Sequence, residues 1–173
     1  MAGGAGNPED GRARPRSRLL DPLARTAFRG AYALARVYWF VRRPRTEGVF
    51  VGVWHQGRVL LVQNSYKYNL AMPGGGLKSG EPVTEAGARE LREETGLQVD
   101  ASTLKPVFDF IGTQEFKEDH VHFLELDVDT PPDLTLDNRE VTWAGFIDLD
   151  TALRLPVSYH VRAYLEDARR RRA

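Results

Sequence analysis

Three consecutive glycines, Gly74 to Gly76, stand before a stretch with helix-forming character. Pro82 suits the first turn of a helix, where its missing N–H costs no hydrogen bond, and Gly96 suits the left-handed position that closes one. The pattern therefore predicts a glycine loop followed by a helix from about residue 82 to residue 95. Such a loop lets main-chain groups approach a ligand without obstruction by side chains.

The end of this predicted helix carries three carboxylates, Glu90, Glu93 and Glu94. Like charges one turn apart destabilise a helix by about 0.2–0.5 kcal/mol per pair, so the cluster is tolerable but not favourable in itself. The preceding turn carries only Ala86 and Gly87, and we expect these small residues to leave room for a ligand. A hard divalent cation such as Mg²⁺ or Mn²⁺ prefers oxygen ligands of this kind.

A solvated, ion-paired helix face is the alternative interpretation of these glutamates. Glu85 and Glu93 each stand four residues from Arg89, at the spacing of ordinary helical ion pairs. The spacing of the whole segment favours the functional interpretation instead. It reads G-x5-E-x7-R-E-U-x-E-E-x-G-U, with U aliphatic, and its defined positions hold Gly75, Glu81, Arg89, Glu90, Leu91, Glu93, Glu94, Gly96 and Leu97.

This spacing resembles the signature of the Nudix hydrolases, with every defined position filled. At average residue usage, a chance match in such a chain has a probability below about one in a million. The resemblance implies hydrolysis of a phosphoanhydride bond in a nucleoside diphosphate linked to another moiety. Substrates of this class include nucleotide sugars, nucleoside triphosphates and dinucleotides.

The resemblance also assigns roles to the residues of the motif. It implies that Glu90, Glu93 and Glu94 hold Mg²⁺ or Mn²⁺, and it makes Glu90 a candidate base as well. Arg89 would orient a glutamate, and Glu81 would brace the loop. A main-chain carbonyl of the loop would complete the metal shell, and the substrate and loop residues would be Gly74, Gly75, Gly76, Glu81 and Tyr68.

Hydrophobic periodicity on both sides of the motif alternates between strand and helix patterns. Val49 to Trp54 and Val59 to Gln63 form a predicted hairpin. Further strands are predicted at 104–111, 120–128 and 141–147, and helices at 149–153 and 158–170. This order favours an α/β domain with a mixed sheet between helices, which matches the α/β/α sandwich that the Nudix resemblance implies.

The chain divides into four parts by composition. Residues 1–18 are a basic tail that we expect to be disordered because it is rich in glycine, proline and arginine. Residues 19–45 are an amphipathic helical extension, residues 46–168 the Nudix domain and residues 169–173 a basic C-terminal tail. We expect the extension to pack on the domain or on a second subunit in a homodimer; peripheral contact with a membrane is the alternative.

Positive charge is concentrated at both ends of a chain whose net charge is zero. Residues 1–46 hold ten arginines and three carboxylates, and Arg169 to Arg172 form a second basic cluster, so the body between them is acidic. Nucleic acid is not an expected partner, because its binding domains carry positive charge on the reading surface. Hydrolysis at RNA 5′ ends, with the basic ends as a tether, is kept as an alternative.

Nudix enzymes often place an additional catalytic acid in a loop beyond the motif. Glu140 occupies that neighbourhood, immediately before the strand predicted at 141–147. A charge at the strand edge without a catalytic role is the alternative. Glu115, Glu118 and Asp119 compete for the same role, although we expect their side chains to face solvent.

Aromatic residues on or near loops are the candidates for stacking on a nucleobase. Tyr68 precedes the glycine loop at a position that usually lies near the substrate cleft in Nudix proteins. Trp54, Tyr66 and Phe116 are further candidates. For each of them, a place in the core or at its rim is the alternative.

His120 and His122 alternate along a predicted strand and therefore share one face. No partner at zinc-binding spacing accompanies them in the sequence, so we interpret both as structural. The chain contains no cysteine. This excludes a disulfide framework, a thiolate nucleophile and a cysteine-type zinc site.

Two other classes of Nudix protein are alternatives to the hydrolase. Isomerases that act on isopentenyl diphosphate rely on a cysteine, which this chain lacks. A catalytically silent, nucleotide-sensing module is the alternative from another class, although such modules typically lose the glutamates. No segment is apolar enough to span a membrane, and we expect a cytoplasmic protein.

Overall fold

The structure is a computed structural model that describes residues 21–114, 116–136 and 138–172. The tail predicted at 1–18 and Glu115 lie outside these ranges. The predicted α/β class, with a mixed sheet between helices, is confirmed. The elements are α1 Asp21–Arg42, β1 Arg45–His55, β2 Arg58–Asn64, β3 Gly74–Gly76, α2 Val83–Thr95, β4 Lys105–Gln114, β5 Lys117–Asp127, β6 Val141–Asp148, α3 Leu149–Ala152 and α4 Tyr159–Arg171.

Strand β1 is the centre of the sheet, whose order is β4-β5-β1-β2-β6 with β3 also paired to β1. Along one edge β1 runs parallel to β5. Its other edge is shared, because β2 pairs near Trp54 and β3 pairs near Gly48. Between these pairings the chain segment before β3 fills the sheet, where Val51 N–H donates to the carbonyl of Pro73 at 2.9 Å. The glycine loop is thus held directly against the central strand.

Two hydrophobic cores cover the two faces of the sheet, as in a three-layer sandwich. Val49, Val51 and Val53 of β1 face α2 in one core. Trp54, at an alternate position, belongs to the other core beneath α3 and α4, and the partly buried Phe50 also packs against that core. Successive side chains of a strand point to opposite faces of the sheet, and both faces of β1 are buried. The sequence of β1 from Val49 to Trp54 is therefore apolar at nearly every position.

The small residues of α2 allow the helix to approach the sheet closely. A Cβ atom added to Gly87 would lie 2.7 Å from Cδ1 of Leu124 and 3.1 Å from Cγ2 of Val51. Ala86 is fully buried in the same core. The expectation that these two residues leave room for a ligand is therefore wrong, because the sheet occupies that space.

Replacing Gly87 with valine is expected to lower the free energy of unfolding by about 1–3 kcal/mol, since extra methyl groups overpack a filled interface. The midpoint of urea denaturation measures this change. Gly30→Val in α1 is the matched control, because nothing lies within 4 Å of a Cβ atom at Gly30. An equal effect of the two substitutions would contradict close packing at Gly87.

Helix α1 packs against the loops that follow β2 and precede β6. Arg25 donates to the carbonyl and to Oδ1 of Asn138, at 3.0 and 2.7 Å, and Arg29 donates to the carbonyl of Ser65 at 3.1 Å. Phe28 stacks on Tyr66. The other side of the helix exposes Leu23, Leu34, Val37, Tyr38 and Val41. Dimerisation or membrane contact through this apolar side stays a prediction.

No helix in the described part of the chain combines the length and the apolar composition that crossing a bilayer requires. Helix α1, with 22 residues, is long enough to span a membrane, but it carries arginines throughout its length.

The C-terminal arginines contact the C-terminal end of strand β5. The structure places Arg169 to Arg171 within α4 rather than in a separate tail. The guanidinium groups of Arg171 and Arg172 donate to the two oxygens of Glu125, at 2.8 and 2.7 Å. Tyr164 also donates to this carboxylate, at 2.6 Å. These charges are therefore engaged by the domain itself.

The Glu125 cluster makes stability depend on pH. Burial alone would raise the pKa of Glu125, but hydrogen bonds from Arg171, Tyr164 and Arg172 together hold it below its ordinary value of 4.5. A lowered pKa in the folded state contributes stability above the unfolded value, and this contribution is lost as the pH falls through the folded value.

We therefore expect Glu125→Gln to be less stable than the wild type above about pH 5, and the difference to shrink below about pH 4.5. Urea denaturation between pH 3 and pH 7 measures the difference. Glu118→Gln, on an exposed ion pair with Arg45, is the control and should have little effect. A difference for Glu125→Gln that does not change with pH would contradict this interpretation.

Candidate active site

Helix α2 carries the three glutamates, close to the predicted bounds. Pro82 is the N-cap residue, with φ −60° and ψ 142°, so it stands just before the first turn and not within it. Gly96 closes the helix at φ 73°, in the left-handed conformation, and its N–H donates to the carbonyl of Arg92 at 3.1 Å.

The glycine loop touches the carboxylates of α2 directly. The N–H of Gly74 donates to Oε2 of Glu94 at 3.0 Å, and Glu94 is only 5% exposed. A Cβ atom at Gly75 would lie 2.5 Å from Oε1 of Glu90. At Gly74, where φ is +158°, a Cβ atom would lie 2.1 Å from the carbonyl oxygen of Val49. A side chain at Gly75 would push the loop away from the helix, and one at Gly74 would push it away from β1.

Arg89 ties the loop to the helix through four hydrogen bonds. Its guanidinium binds both oxygens of Glu81, at 2.8 and 2.9 Å. It also donates to Oε1 of Glu90 at 2.5 Å and to the carbonyl of Gly76 at 3.1 Å. The Arg89 hydrogen bonds, together with one from the N–H of Lys78, lower the pKa of Glu81 to about 2. Glu81 is therefore ionised and holds both the loop and Arg89 in place.

The remaining carboxylates differ in exposure. Burial raises the pKa of Glu90, against the opposing effect of Arg89, and the negative charges of Glu93 and Glu140 raise it further. The Glu93 side chain is 52% exposed, and its Oε2 lies 3.7 Å from Nη1 of Arg89. The Glu93 carboxylate therefore faces solvent at the outer side of the three glutamates.

Tyr66 connects Glu140 with the glutamates of α2. Its hydroxyl donates to Oε1 of Glu140 at 2.8 Å. Burial raises the pKa of Tyr66, and the negative charges of Glu140 and Glu94 raise it further. Glu140 is thus close enough for its negative charge to raise the pKa of Glu90. The protonated hydroxyl of Tyr66 orients the carboxylate of Glu140.

A cavity of about 300 Å³ opens beside the glycine loop. Among the competing acids, Asp119 lines it, accepts a hydrogen bond from Thr46 and is only 6% exposed, so the expectation that Asp119 faces solvent is wrong. Glu118 is half-exposed and pairs with Arg45 at 3.4 Å. The described residues that line the cavity include Gly74, Gly75, Gly76, Phe50, Tyr66, Lys67, Asp119, His160 and Trp39.

The aromatic candidates occupy different places. Tyr66 lines the cavity, whereas Tyr68 is 97% exposed and is not among the described residues that line it. Trp54 is buried in the core, where its indole N–H donates to Tyr164 at 2.8 Å, so it cannot stack on a base. Phe116 packs edge-on against Phe40 of α1.

Sequence reasoning missed three aromatic rings of the cavity. Phe50 stacks on His160 with ring centroids 4.9 Å apart, and Trp39 of α1 adds an indole from outside the core domain. Phe50 and His160 come from distant segments, so no local pattern could pair them. Trp39 lies in the predicted helical extension, and no pattern in the sequence indicated that this part of the helix would reach the cavity.

The glutamates of α2 and the adjacent glycine loop have donor atoms that suit a divalent metal ion. Glu90, Glu93 and Glu94 offer carboxylate oxygens on one side of α2, and the main chain of Gly74 and Gly75 lies against them without intervening side chains. Hard cations such as Mg²⁺ and Mn²⁺ favour all-oxygen donor sets. The residues present therefore fit such an ion.

Several solved structures of other proteins have a fold similar to that of this chain. The NUDIX domain of NrtR from Shewanella oneidensis, complexed with ADP ribose, is 16% identical with a TM-score of 0.65, and the match covers 75% of this chain and 89% of that one. An Ap4A hydrolase from C. elegans is 18% identical with a TM-score of 0.60, over 70% of this chain and 93% of that one. At these identities the likeness shows the fold.

Sequence comparison shows the family. A curated relative, an uncharacterized Nudix hydrolase named YvcI from Bacillus subtilis (strain 168), is 44% identical over 54 residues, which are 31% of this chain and 34% of the relative. The match thus spans about a third of the length of that relative. The family model described as NUDIX domain matches residues 43–167, most of the chain. Because that match includes the sheet, the glycine loop and the glutamate helix, the chain belongs to the NUDIX domain family.

Proposed function

We propose that this protein is a divalent-metal-dependent pyrophosphohydrolase that cleaves a phosphoanhydride bond in a nucleoside diphosphate linked to another moiety. One observation carries the proposal: the glycine loop meets the acidic turn of α2 without intervening side chains. The hydrogen bond of 3.0 Å from the Gly74 N–H to Glu94 defines this contact, together with the short distance of 2.5 Å between a Cβ atom placed at Gly75 and Oε1 of Glu90.

Glu90, Glu93 and Glu94 would hold Mg²⁺ or Mn²⁺ in this proposal. When bound, the ion supplies charge neutralisation for the diphosphate and lowers the pKa of a water molecule. Arg89 keeps Glu90 in position, and Gly74 fixes Glu94. Glu140, oriented by Tyr66, is the candidate for moving a proton from outside the motif.

The cavity supports a nucleotide as the substrate. Trp39, Phe50 and Tyr66 supply aromatic rings, and Lys67 supplies a positive charge at the same opening. Stacking on aromatic rings accommodates any nucleobase, and a lysine favours phosphate. The related NUDIX domain complexed with ADP ribose supports this class, because ADP ribose is itself a nucleoside diphosphate joined to a sugar.

Incubation of the purified protein with Mg²⁺ and a panel of substrates tests the proposal. The panel contains nucleotide sugars, nucleoside triphosphates, dinucleoside polyphosphates and 5′-triphosphorylated RNA, with products identified by mass spectrometry. We expect a nucleoside monophosphate and the phosphorylated second moiety from at least one nucleotide sugar or dinucleotide. Binding without turnover across the panel would favour the nucleotide-sensing alternative, and turnover of RNA alone would favour the 5′-end alternative.

Trp39→Ala is expected to raise KM for the nucleotide about tenfold with a smaller change in kcat, because loss of a stacking ring costs about 1–3 kcal/mol of binding. Steady-state kinetics on the substrate found in the panel measure the effect. Phe40→Ala is the control, since Phe40 contacts Phe116 and is not among the described residues that line the cavity. An unchanged KM for Trp39→Ala would show that α1 takes no part in binding.

A further inference from the structure

Two histidines and two carboxylates from three adjacent strands meet at one end of the sheet. His120 and His122 lie on β5, with Glu47 of β1 directly opposite His120 and Asp109 of β4 directly opposite His122. Ligand atoms of Glu47, His120 and His122 all lie within 4.8 Å of one another. The two histidines therefore have the partners that the sequence did not reveal.

We propose that Glu47, His120 and His122 form a second metal site, which takes a transition-metal dication of the Zn²⁺ class. Nε2 of His122 lies 3.0 Å from Oε1 of Glu47, and the two imidazole rings lie 4.2 Å apart between centroids. Two ligand atoms that each lie about 2.0–2.1 Å from a tetrahedral zinc ion are roughly 3.3 Å apart. The distance of 3.0 Å between Nε2 of His122 and Oε1 of Glu47 is close to this value. Three protein ligands leave a fourth position for water.

Asp109 orients His122 for this role. Nδ1 of His122 lies 2.6 Å from Oδ1 of Asp109, so an N–H at Nδ1 would donate to this carboxylate, and Nε2, which lies beside Glu47, would bind the ion once it carries no proton. Histidines that bind metals commonly donate their second N–H to a carboxylate, which fixes the tautomer and raises the basicity of the ligand. Asp109 is thus a positioning residue.

The donor atoms separate this site from the glutamates of α2. Imidazole nitrogen suits Zn²⁺ and its transition-metal neighbours, whereas an all-oxygen group suits Mg²⁺ and Mn²⁺. The histidine site is also open to ions from solvent. Glu47 and Asp109 have side chains 55% and 65% exposed, and a hollow of about 300 Å³ borders Glu47 and His120.

The position of Glu47 links the site to the glycine loop through the main chain. Its carbonyl accepts from the N–H of Leu77 at 3.1 Å, and the next residue, Gly48, pairs with Gly76. An ion bound at Glu47 would join β1 to β5 at the point where β1 holds this loop. Metal binding at the histidines should therefore stabilise the fold, independently of any hydrolase activity.

Zinc titration of the full chain against a chromophoric chelator tests the proposal. We expect one tight site in the wild type, an affinity at least about 100-fold lower in His120→Gln/His122→Gln, and an affinity about 10–100-fold lower in Asp109→Asn. Glu118→Gln removes a neighbouring charge without removing a ligand and should bind as the wild type does. Glu93→Gln should also keep the tight site.

The melting temperature gives a second measurement, because an ion that binds only the folded state raises it. Zn²⁺ should raise the melting temperature of the wild type but not that of the double histidine variant, whose metal-free melting curve reports whether it folds. Equal zinc affinity in the wild type and the double variant would overturn the proposal. So would loss of the tight site in Glu93→Gln with retention in the histidine variant.

Discussion

Replacing Glu93 with glutamine is expected to lower kcat by at least about 100-fold and to leave the fold intact. The side chain is half-exposed, and its described ion pairs, with Arg89 and Arg92, are long at 3.7 and 4.0 Å, so its charge contributes little to folding. Loss of one of three metal ligands weakens charge stabilisation worth several kcal/mol in the transition state. Each 1.36 kcal/mol is a factor of ten in rate.

Initial rates over a range of Mg²⁺ concentrations, together with thermal melting, measure both parts of this expectation. Glu85→Gln is the matched control, since it removes an exposed carboxylate from the first turn of the same helix. It should retain the wild-type rate. Near-normal turnover by Glu93→Gln would contradict the assignment of Glu93 as a metal ligand.

Gly75→Ala is expected to lower kcat by about 10–100-fold with little loss of stability. The new methyl group would lie 2.5 Å from Oε1 of Glu90, and the end of a flexible side chain can swing away at low cost. The displaced carboxylate would lose its hydrogen bond with Arg89 and its place beside the loop. A misplacement of about 1 Å at a reacting centre can cost about 100-fold in rate.

The neighbouring Gly76→Ala is the control for this substitution. A Cβ atom there meets only the carbonyl oxygen of Glu47, at 4.0 Å, which is an ordinary contact. Kinetics and urea denaturation should show Gly76→Ala near the wild type and Gly75→Ala slow but stable. A large loss of stability in Gly75→Ala would contradict a low-cost displacement of the Glu90 side chain.

Local patterns predicted the fold class, and the resemblance to the Nudix signature supplied the residues of the candidate site. The period-two and helical stretches predicted the hairpin, the later strands and α2, because burial on one or both faces acts on neighbouring residues. The spacing from Gly75 to Leu97 placed the glutamates on one turn and Arg89 beside them. Each of these elements depends on residues that are close together in the sequence or that share one helix.

Contacts between distant strands could not be predicted in the same way. Asp119 lines the cavity, and Glu47 meets His120, because β1 pairs with β5 in one particular register. A shift of one residue would turn all these side chains to the other face of the sheet. The sequence contains the two strands but no local signal for their register, so the histidines had no visible partners.

The parallel pairing of β1 with β5 also has a consequence for how the chain folds during synthesis. Thr46 and Asp119, hydrogen-bonded across this pair, are 73 residues apart in sequence. At a translation rate of about 5–20 residues per second, β1 leaves the ribosome several seconds before its partner does. Until then the apolar centre of the sheet has one uncovered edge, and contacts of such long range form slowly. Nascent chains of this protein should therefore depend on chaperones most strongly in the interval between the two strands.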